Sequence, residues 1–269
     1  MSVRVELPPD HPHVAVVTID RPEAANALDP PTLRGLAEVW RRIAADPGIR
    51  CAVLTGAGDR VFCAGMDMKI TIPAAQRLAR GERVDDDTFA ALRDVSTATL
   101  VDFELGVPLV CALNGHARAG GFDLMLASDV RFAVPHATFA LEEVALGLYP
   151  TGHATVLLPR QIPWVHAQAL LLTARPIDAD RAREIGLLNA IVLPEDLMPT
   201  ALDTADAIAA NAPLAVRATW RGVRELLHLS LPDAYRRQEE LGRPLRRTAD
   251  AREAQRAFGE KRRPVWSGR

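Results

Sequence analysis

Two stretches, Phe62-Cys63-Ala64-Gly65-Met66-Asp67 and Asn114-Gly115-His116-Ala117-Arg118-Ala119-Gly120-Gly121-Phe122-Asp123, decide how this chain of 269 residues is read. Each is a glycine-bearing turn that follows an apolar, strand-like run. Cys51-Ala52-Val53-Leu54-Thr55 and the connection Gly56-Ala57-Gly58-Asp59-Arg60 precede the first, and Leu109-Val110-Cys111-Ala112-Leu113 precedes the second. Small residues at Ala64 and Gly65 let the backbone approach a ligand closely, and the amide of Met66 is then the natural donor. The second turn runs directly into Phe122-Asp123-Leu124-Met125-Leu126-Ala127, a helical stretch whose free N-terminal amides at Gly120 and Gly121 favour negative charge. Two fixed N–H groups aimed at one oxygen suit an oxygen that gains negative charge during a reaction. Glu142-Glu143 follow twenty residues later, and a carboxylate beside such an oxygen can move protons. The combination points to acyl-group chemistry.

Outward from these turns, short β-branched-rich runs alternate with helical patterns. Val14–Ile19, Cys51 to Thr55, Pro108 to Leu113, Val130–Ala133 and Ala190 to Val192 read as buried strands closed by Gly, Asp, Asn or Pro. Between the first two, Leu33, Leu36, Ala37, Trp40 and Ile43 recur at helical spacing after Asp29 and two prolines, and Asp46-Pro47-Gly48 ends the pattern. Strands separated by such a helix pair in parallel, because a parallel neighbour needs a crossover. From about Leu197 onward the strand signals stop. The segments 201–210, 215–227, 234–241 and 249–260 read as helices separated by Pro213, Pro232 and Pro244. The expected division is therefore an α/β core over residues 1–196 and a helical region over 197–269.

Composition narrows the function classes. With 48% apolar and 25% charged residues the chain can bury a large core, and a net charge of −2 gives no pull towards nucleic acid or an anionic membrane. No run approaches the roughly 18 apolar residues of a membrane span. The start, Met1-Ser2-Val3-Arg4-Val5-Glu6, lacks the apolar core of a secretory signal, so a soluble cytoplasmic protein is expected. Cys51, Cys63 and Cys111 are odd in number and lie in apolar contexts, which reads as buried thiols rather than bridges or metal ligands. The seven histidines have no metal-ligand spacing and no G-x-S-x-G elbow accompanies them, so neither a metal nor a serine hydrolase is expected.

The motifs resemble those of the crotonase superfamily, the enoyl-CoA hydratase/isomerase family. The resemblance is collinear: Arg21-Pro22 with Asn26-Ala27-Leu28, FCAGMDMK ending at Lys69, Asn114-Gly115 through Gly120-Gly121 to Ser128-Asp129, Phe139 to Gly147, Ala182 to Asn189, and Asp250 to Val265. It implies a spiral of ββα repeats followed by a helical oligomerisation region, assembled as a trimer or a dimer of trimers. It implies an acyl-coenzyme A thioester as substrate, no separate cofactor, and an oxyanion hole formed by the Met66 and Gly120 amides. In resembling proteins the loops around Glu23, Ala24 and Ala25, and around Ala64, Met66, Asp67, Met68 and Lys69, hold the adenine and pantetheine arms near Gly120. Hydratases of the family place one Glu in the helix after the glycines and another about twenty residues on; here those positions hold Asp123 and Glu143. One carboxylate is a methylene shorter. The implied activity is hydration of a 2-trans-enoyl-CoA, with single-base isomerisation by Glu143 or non-catalytic acyl-CoA binding as alternatives.

Each acid also has a purely structural reading. An Asp in a first helical turn is stabilised by roughly 0.3–1 kcal/mol whatever else it does. Adjacent glutamates are usually solvated, yet Phe139-Ala140-Leu141 before them and Val144-Ala145-Leu146-Gly147 after argue against full exposure, which makes Glu143 the stronger candidate. A lone histidine such as His153 or His116 packs or caps more often than it reacts. The basic run Lys261-Arg262-Arg263 is more often solvated than bound to phosphate.

Overall fold

The computed structural model describes residues 2–269. Among them ten strands follow one another as β1 (Val3–Glu6), β2 (Val14–Ile19), β3 (Cys51–Gly56), β4 (Val61–Cys63), β5 (Leu109–Leu113), β6 (His116–Arg118), β7 (Val130–Ala133), β8 (Thr138–Ala140), β9 (Ile177–Asp178) and β10 (Ala190–Ile191). They divide into a six-stranded sheet, ordered β1-β2-β3-β5-β7-β10, and a four-stranded sheet, ordered β4-β6-β8-β9. From β2 to β10 the large sheet is parallel, with only β1 antiparallel at its edge. The chain thus winds through a strand of the large sheet, a strand of the small sheet and a helix, then returns. Thr71–Ala79 closes the turn after β3 and β4, and Gly120–Ala127 closes the turn after β5 and β6. This is the ββα spiral that the resemblance implies.

All five runs read as strands lie in the large sheet, where β2, β3 and β5 are buried at every position. Continuous apolar sequence is what a sheet covered on both faces requires. The small sheet and β1 leave no periodic signal in the sequence, because strands of three or four residues such as Val61–Cys63, His116–Arg118 and Val3–Glu6 are too short to show one.

The helix Pro30–Ala45 starts where its signals place it. Asp29 Oδ1 accepts the Thr32 amide at 2.9 Å and two prolines occupy the first turn. Its apolar face, Leu33, Leu36, Ala37, Trp40 and Ile43, is buried, at about 1.5–3 kcal/mol for each large side chain. The indole of Trp40 keeps its polar atom satisfied by donating to Ala98 O at 3.0 Å.

The helix Pro194–Ala209 lays Leu197, Ala201, Ala205 and Ala209 on the large sheet and joins its core. The point where strand signals stop therefore falls inside a helix that belongs to the sheet. Pro213–Leu226, Leu231–Gly242 and Ala249–Gly259 follow, and Pro213 and Pro232 sit in the first turns of helices, where a missing N–H costs nothing. Leu231–Gly242 buries no residue at all. None of the helices among the described residues is long and apolar enough to cross a membrane.

Candidate active site

The first turn is fixed by the loop that follows β2, the parallel neighbour of β3. Leu28 N donates to Gly65 O at 2.8 Å, Asp67 N donates to Leu28 O at 3.1 Å, and Ala64 N donates to Ala25 O at 3.1 Å. Peptide groups alternate along an extended chain, so with Gly65 O and Asp67 N pointing at Leu28 the Met66 amide points the opposite way. Arg21 clamps the arrangement, donating to Asp67 Oδ2 at 2.7 Å and to Ala27 O at 3.2 Å. Asp67 Oδ1 in turn accepts the Lys69 and Ile70 amides. Burial works against ionisation of Asp67, yet the Arg21 guanidinium and those amides hold its carboxyl below the usual range. Its side chain is buried and fully engaged, so Asp67 holds the loop rather than facing outward to a ligand. The two asparagines of the motif serve the same end. Asn26 donates to Ala57 O and Val61 O, while Asn114 Oδ1 accepts the Gly56 amide.

The second turn lies directly against the first. Gly65 has φ +85°, and a Cβ added there would come within 2.9 Å of Gly120 N and 3.0 Å of the Ala119 Cβ. Gly121 backs onto β4 so closely that a Cβ would meet Cys63 O at 2.1 Å. Neither the Met66 nor the Gly120 amide donates to any acceptor among the described residues. Two unpaired N–H groups on adjoining turns are donors available to an oxygen.

Ala119, the residue that turns the chain into the helix, adopts φ +45°, ψ −117°, a region that excludes most side chains. Its amide donates to Ala140 O at 3.1 Å and its carbonyl accepts Asp123 N at 3.0 Å, and these bonds hold it there. Ala119→Gly should raise stability by about 1 kcal/mol, since strain of roughly 1–3 kcal/mol is released against a smaller entropic loss. A thermal midpoint at or below that of the parent protein would show the conformation to be unstrained.

Asp123 occupies the first turn of Gly120–Ala127 and is 6% exposed. Its Oδ1 accepts the His153 amide at 3.0 Å, at the start of the helix Ala154–Gln161, and its Oδ2 lies against Gly152. Burial first, and the neighbouring charge of Glu143 second, push its pKa up to about 7 despite the His153 and Ala154 amides. Glu143 begins a short 3-10 turn, Glu143–Leu146, and its Oε2 is buried with no hydrogen-bond partner. Burial pushes its carboxyl up as well, and the adjacent Glu142 adds to this. Asp123 is the more deeply buried of the two acids, and it is the one whose carboxyl the neighbouring charge pushes up further. Glu142 points away, towards Arg118 at 3.4 Å.

A carboxyl raised from 3.8 to about 7 binds more protons folded than unfolded, so its contribution to stability is complete below pH 4 and is lost as pH rises through 7. The unfolding free energy should therefore fall between pH 4 and 7 by on the order of 2–4 kcal/mol. Asp123→Asn should flatten most of that slope in urea titrations across this range; an unchanged slope would mean that Asp123 is solvated.

Of the other expected site residues, Ala24 and Ala25 lie on the turn beside Ala64, Glu23 projects outward, and Met68 and Lys69 are exposed just beyond the Met66 loop. His153 is buried with Nε2 3.1 Å from Thr99 O, and burial pushes its pKa down, so it braces the fold as a neutral ring. His116 is occupied with Thr138. All three cysteines are buried, their thiols pushed up to about 12 chiefly by burial, and Cys63 accepts the Gly65 amide at 3.4 Å. Arg21, Ala119 and Gly152 are the residues for which no role was read in the sequence. The two Arg21–carboxylate contacts span eight and 46 positions, and nothing local signals them.

Comparison with known proteins shows the family. The profile of the family described as enoyl-CoA hydratase/isomerase matches residues 10–269. The chain belongs to the enoyl-CoA hydratase/isomerase family. Within it, the chain is 40% identical over 257 residues to the enoyl-CoA hydratase EchA19 of Mycobacterium tuberculosis, covering 96% of this chain and 94% of the relative. It is 39% identical to the (E)-benzylidenesuccinyl-CoA hydratase of Thauera aromatica, covering 95% and 96%. The crystal structure of an enoyl-CoA hydratase from Bacillus anthracis superposes with a TM-score of 0.89 at 30% identity, covering both chains completely. Family membership makes this chain an enzyme of acyl-CoA metabolism, with the crotonase fold described above.

Proposed function

We propose that this family member is an enoyl-CoA hydratase, adding water across the double bond of a 2-trans-enoyl-CoA to give the 3-hydroxyacyl-CoA. The observation that carries the reading is Glu143 Oε2, a buried carboxylate oxygen without a partner beside a second carboxyl that keeps its proton to about pH 7. Such an oxygen costs stability unless a reactant uses it. Paired carboxyls in different protonation states are the arrangement that acid–base chemistry at neutral pH requires.

In this scheme the thioester carbonyl oxygen accepts the Met66 and Gly120 amides, which polarise the conjugated double bond. Asp123, protonated, hydrogen-bonds the water. Glu143 takes a proton from that water as its oxygen forms a bond to C3, and the displaced electron pair moves to the carbonyl oxygen as an enolate held by the two amides. The same carboxyl then returns its proton to C2, which regenerates the carbonyl and leaves Glu143 ionised. Ala24, Ala25, Met68 and Lys69 flank the mouth and are assigned to the coenzyme A arm, with Glu23 at its outer edge. The exposed apolar side chains Val223, Leu227, Leu231, Tyr235 and Phe258 on the C-terminal helices support self-association as a trimer or dimer of trimers.

A second reading is single-base isomerisation, in which Glu143 carries a proton from C4 to C2 without water. It is favoured by the capture of Asp123 Oδ1 by the His153 amide, which limits the freedom of that acid. Incubation with a 2-trans-enoyl-CoA and, separately, a 3-enoyl-CoA separates the two. A 3-hydroxyacyl product from the first supports hydration; conversion of the second with no hydration of the first would replace it by isomerisation.

A further inference from the structure

The turn that brings amides to Asp123 has little of its own to hold it. Every residue from Val144 to Tyr149 is exposed, and Gly147 and Gly152 both have positive φ. Gly152 is pressed so closely on the acid that an added Cβ would lie 2.5 Å from Asp123 Oδ2. Segments with few buried contacts open easily, yet the His153 amide stays on Asp123 Oδ1 only if the turn stays put. The chain returns to the interior at Pro150 and His153. Proline has no donor to offer, and histidine has one.

His153 stands immediately before the first turn of the helix Ala154–Gln161, where a Ser, Thr, Asp or Asn would ordinarily cap the helix with its own side chain. The His153 side chain makes no such bond; the acceptor for the His153 and Ala154 amides is Asp123, supplied by the helix Gly120–Ala127. The ring points elsewhere, with Nε2 3.1 Å from Thr99 O. Thr99 is itself firmly placed. It ends the short helix Val95–Ala98, its hydroxyl donates to Val95 O at 2.8 Å, and Leu100 after it takes φ +61°, the left-handed conformation that glycine usually supplies at a helix end. Trp40, wholly buried on the helix Pro30–Ala45, donates to the neighbouring Ala98 O at 3.0 Å. Hydrogen bonds and peptide units thus link a core helix, through Ala98, Thr99 and the His153 ring, to the carboxyl of Asp123.

We propose that His153 is a positioning residue for the reaction: its ring, bonded to Thr99 O, fixes the amides that keep Asp123 in place beside Glu143. The inference rests on the hydratase reading, in which Asp123 hydrogen-bonds the attacking water. The ring acts through Asp123 and not on the reactants. An aspartate side chain is short, so a displaced turn either carries the acid with it or loses it.

The test is hydration of crotonyl-CoA by His153→Ala, by His153→Gln and by His153→Ala combined with Asp123→Ala, with rates referred to folded protein. His153→Ala should lower kcat by about 10- to 100-fold, the cost of a misplaced group, while KM changes by less than about threefold. His153→Gln presents a side-chain N–H at similar reach and should recover most of that loss. Asp123→Ala leaves the amides nothing to hold, so adding His153→Ala to it should cost less than about twofold further. A histidine that served folding alone would lower the thermal midpoint in both His153 variants and leave kcat per folded molecule near that of the parent. That result, or an equal loss with and without the Asp123 side chain, would overturn the inference. A folded parent protein that hydrates no enoyl-CoA would instead reject the hydratase reading, and the role of His153 with it.

Discussion

Glu143→Gln is expected to lower the hydration rate by about three orders of magnitude or more while acyl-CoA affinity changes by less than about threefold. The substitution keeps shape and volume and removes only the ability to take and return a proton. Glu143 Oε2 has no partner to lose, so the amide leaves no other group unsatisfied, and folding should be unharmed or slightly improved by removing a buried charge. Steady-state hydration of crotonyl-CoA gives the rate, and titration calorimetry with a saturated acyl-CoA gives the affinity. Near-parental turnover in the variant would show that another group moves the proton.

Gly65→Ala should cost about 10²- to 10³-fold in kcat, the effect of losing one donor of an oxyanion hole. The methyl group is unfavourable twice over: at φ +85° it strains the backbone, and it would stand 2.9 Å from Gly120 N, a donor proposed for the carbonyl oxygen. The turns must separate to admit it, which moves apart the two amides proposed to share the carbonyl oxygen. Gly120→Ala is the control, because its methyl would meet nothing closer than 3.5 Å, at the Gly65 Cα, and 3.7 Å at Leu28 and Met66. That variant should fold normally and retain much of its activity. Equal losses in the two would indicate that the region tolerates no added volume, and would leave the donor geometry without support.

The large sheet was legible because burial on both faces demands unbroken apolar runs, and Val14–Ile19 and Leu109–Leu113 are such runs. The helix Pro30–Ala45 was legible from an Asp cap, two prolines and a 3.6-residue period that coincide. The small sheet was not, because Val61–Cys63 and Thr138–Ala140 take their strand geometry from parallel partners far along the chain rather than from local preference. The glycine turns and both acids could be marked from spacing and from the family resemblance. What spacing could not provide was the environment of each acid. Asp123 is raised by burial and by the charge of Glu143, against two helix amides some thirty residues later, and the unpaired oxygen of Glu143 depends on how the 3-10 turn it begins packs.

The most direct test of a carbonyl oxygen held by Met66 and Gly120 while Glu143 passes a proton from water to carbon is the fate of labelled water. Crotonyl-CoA turned over in deuterium oxide enriched in heavy oxygen should give one product, 3-hydroxybutyryl-CoA, with one deuterium on C2 and the heavy oxygen on C3. Heavy oxygen found in a released carboxylate, or crotonyl-CoA recovered unlabelled from folded protein, would contradict the account.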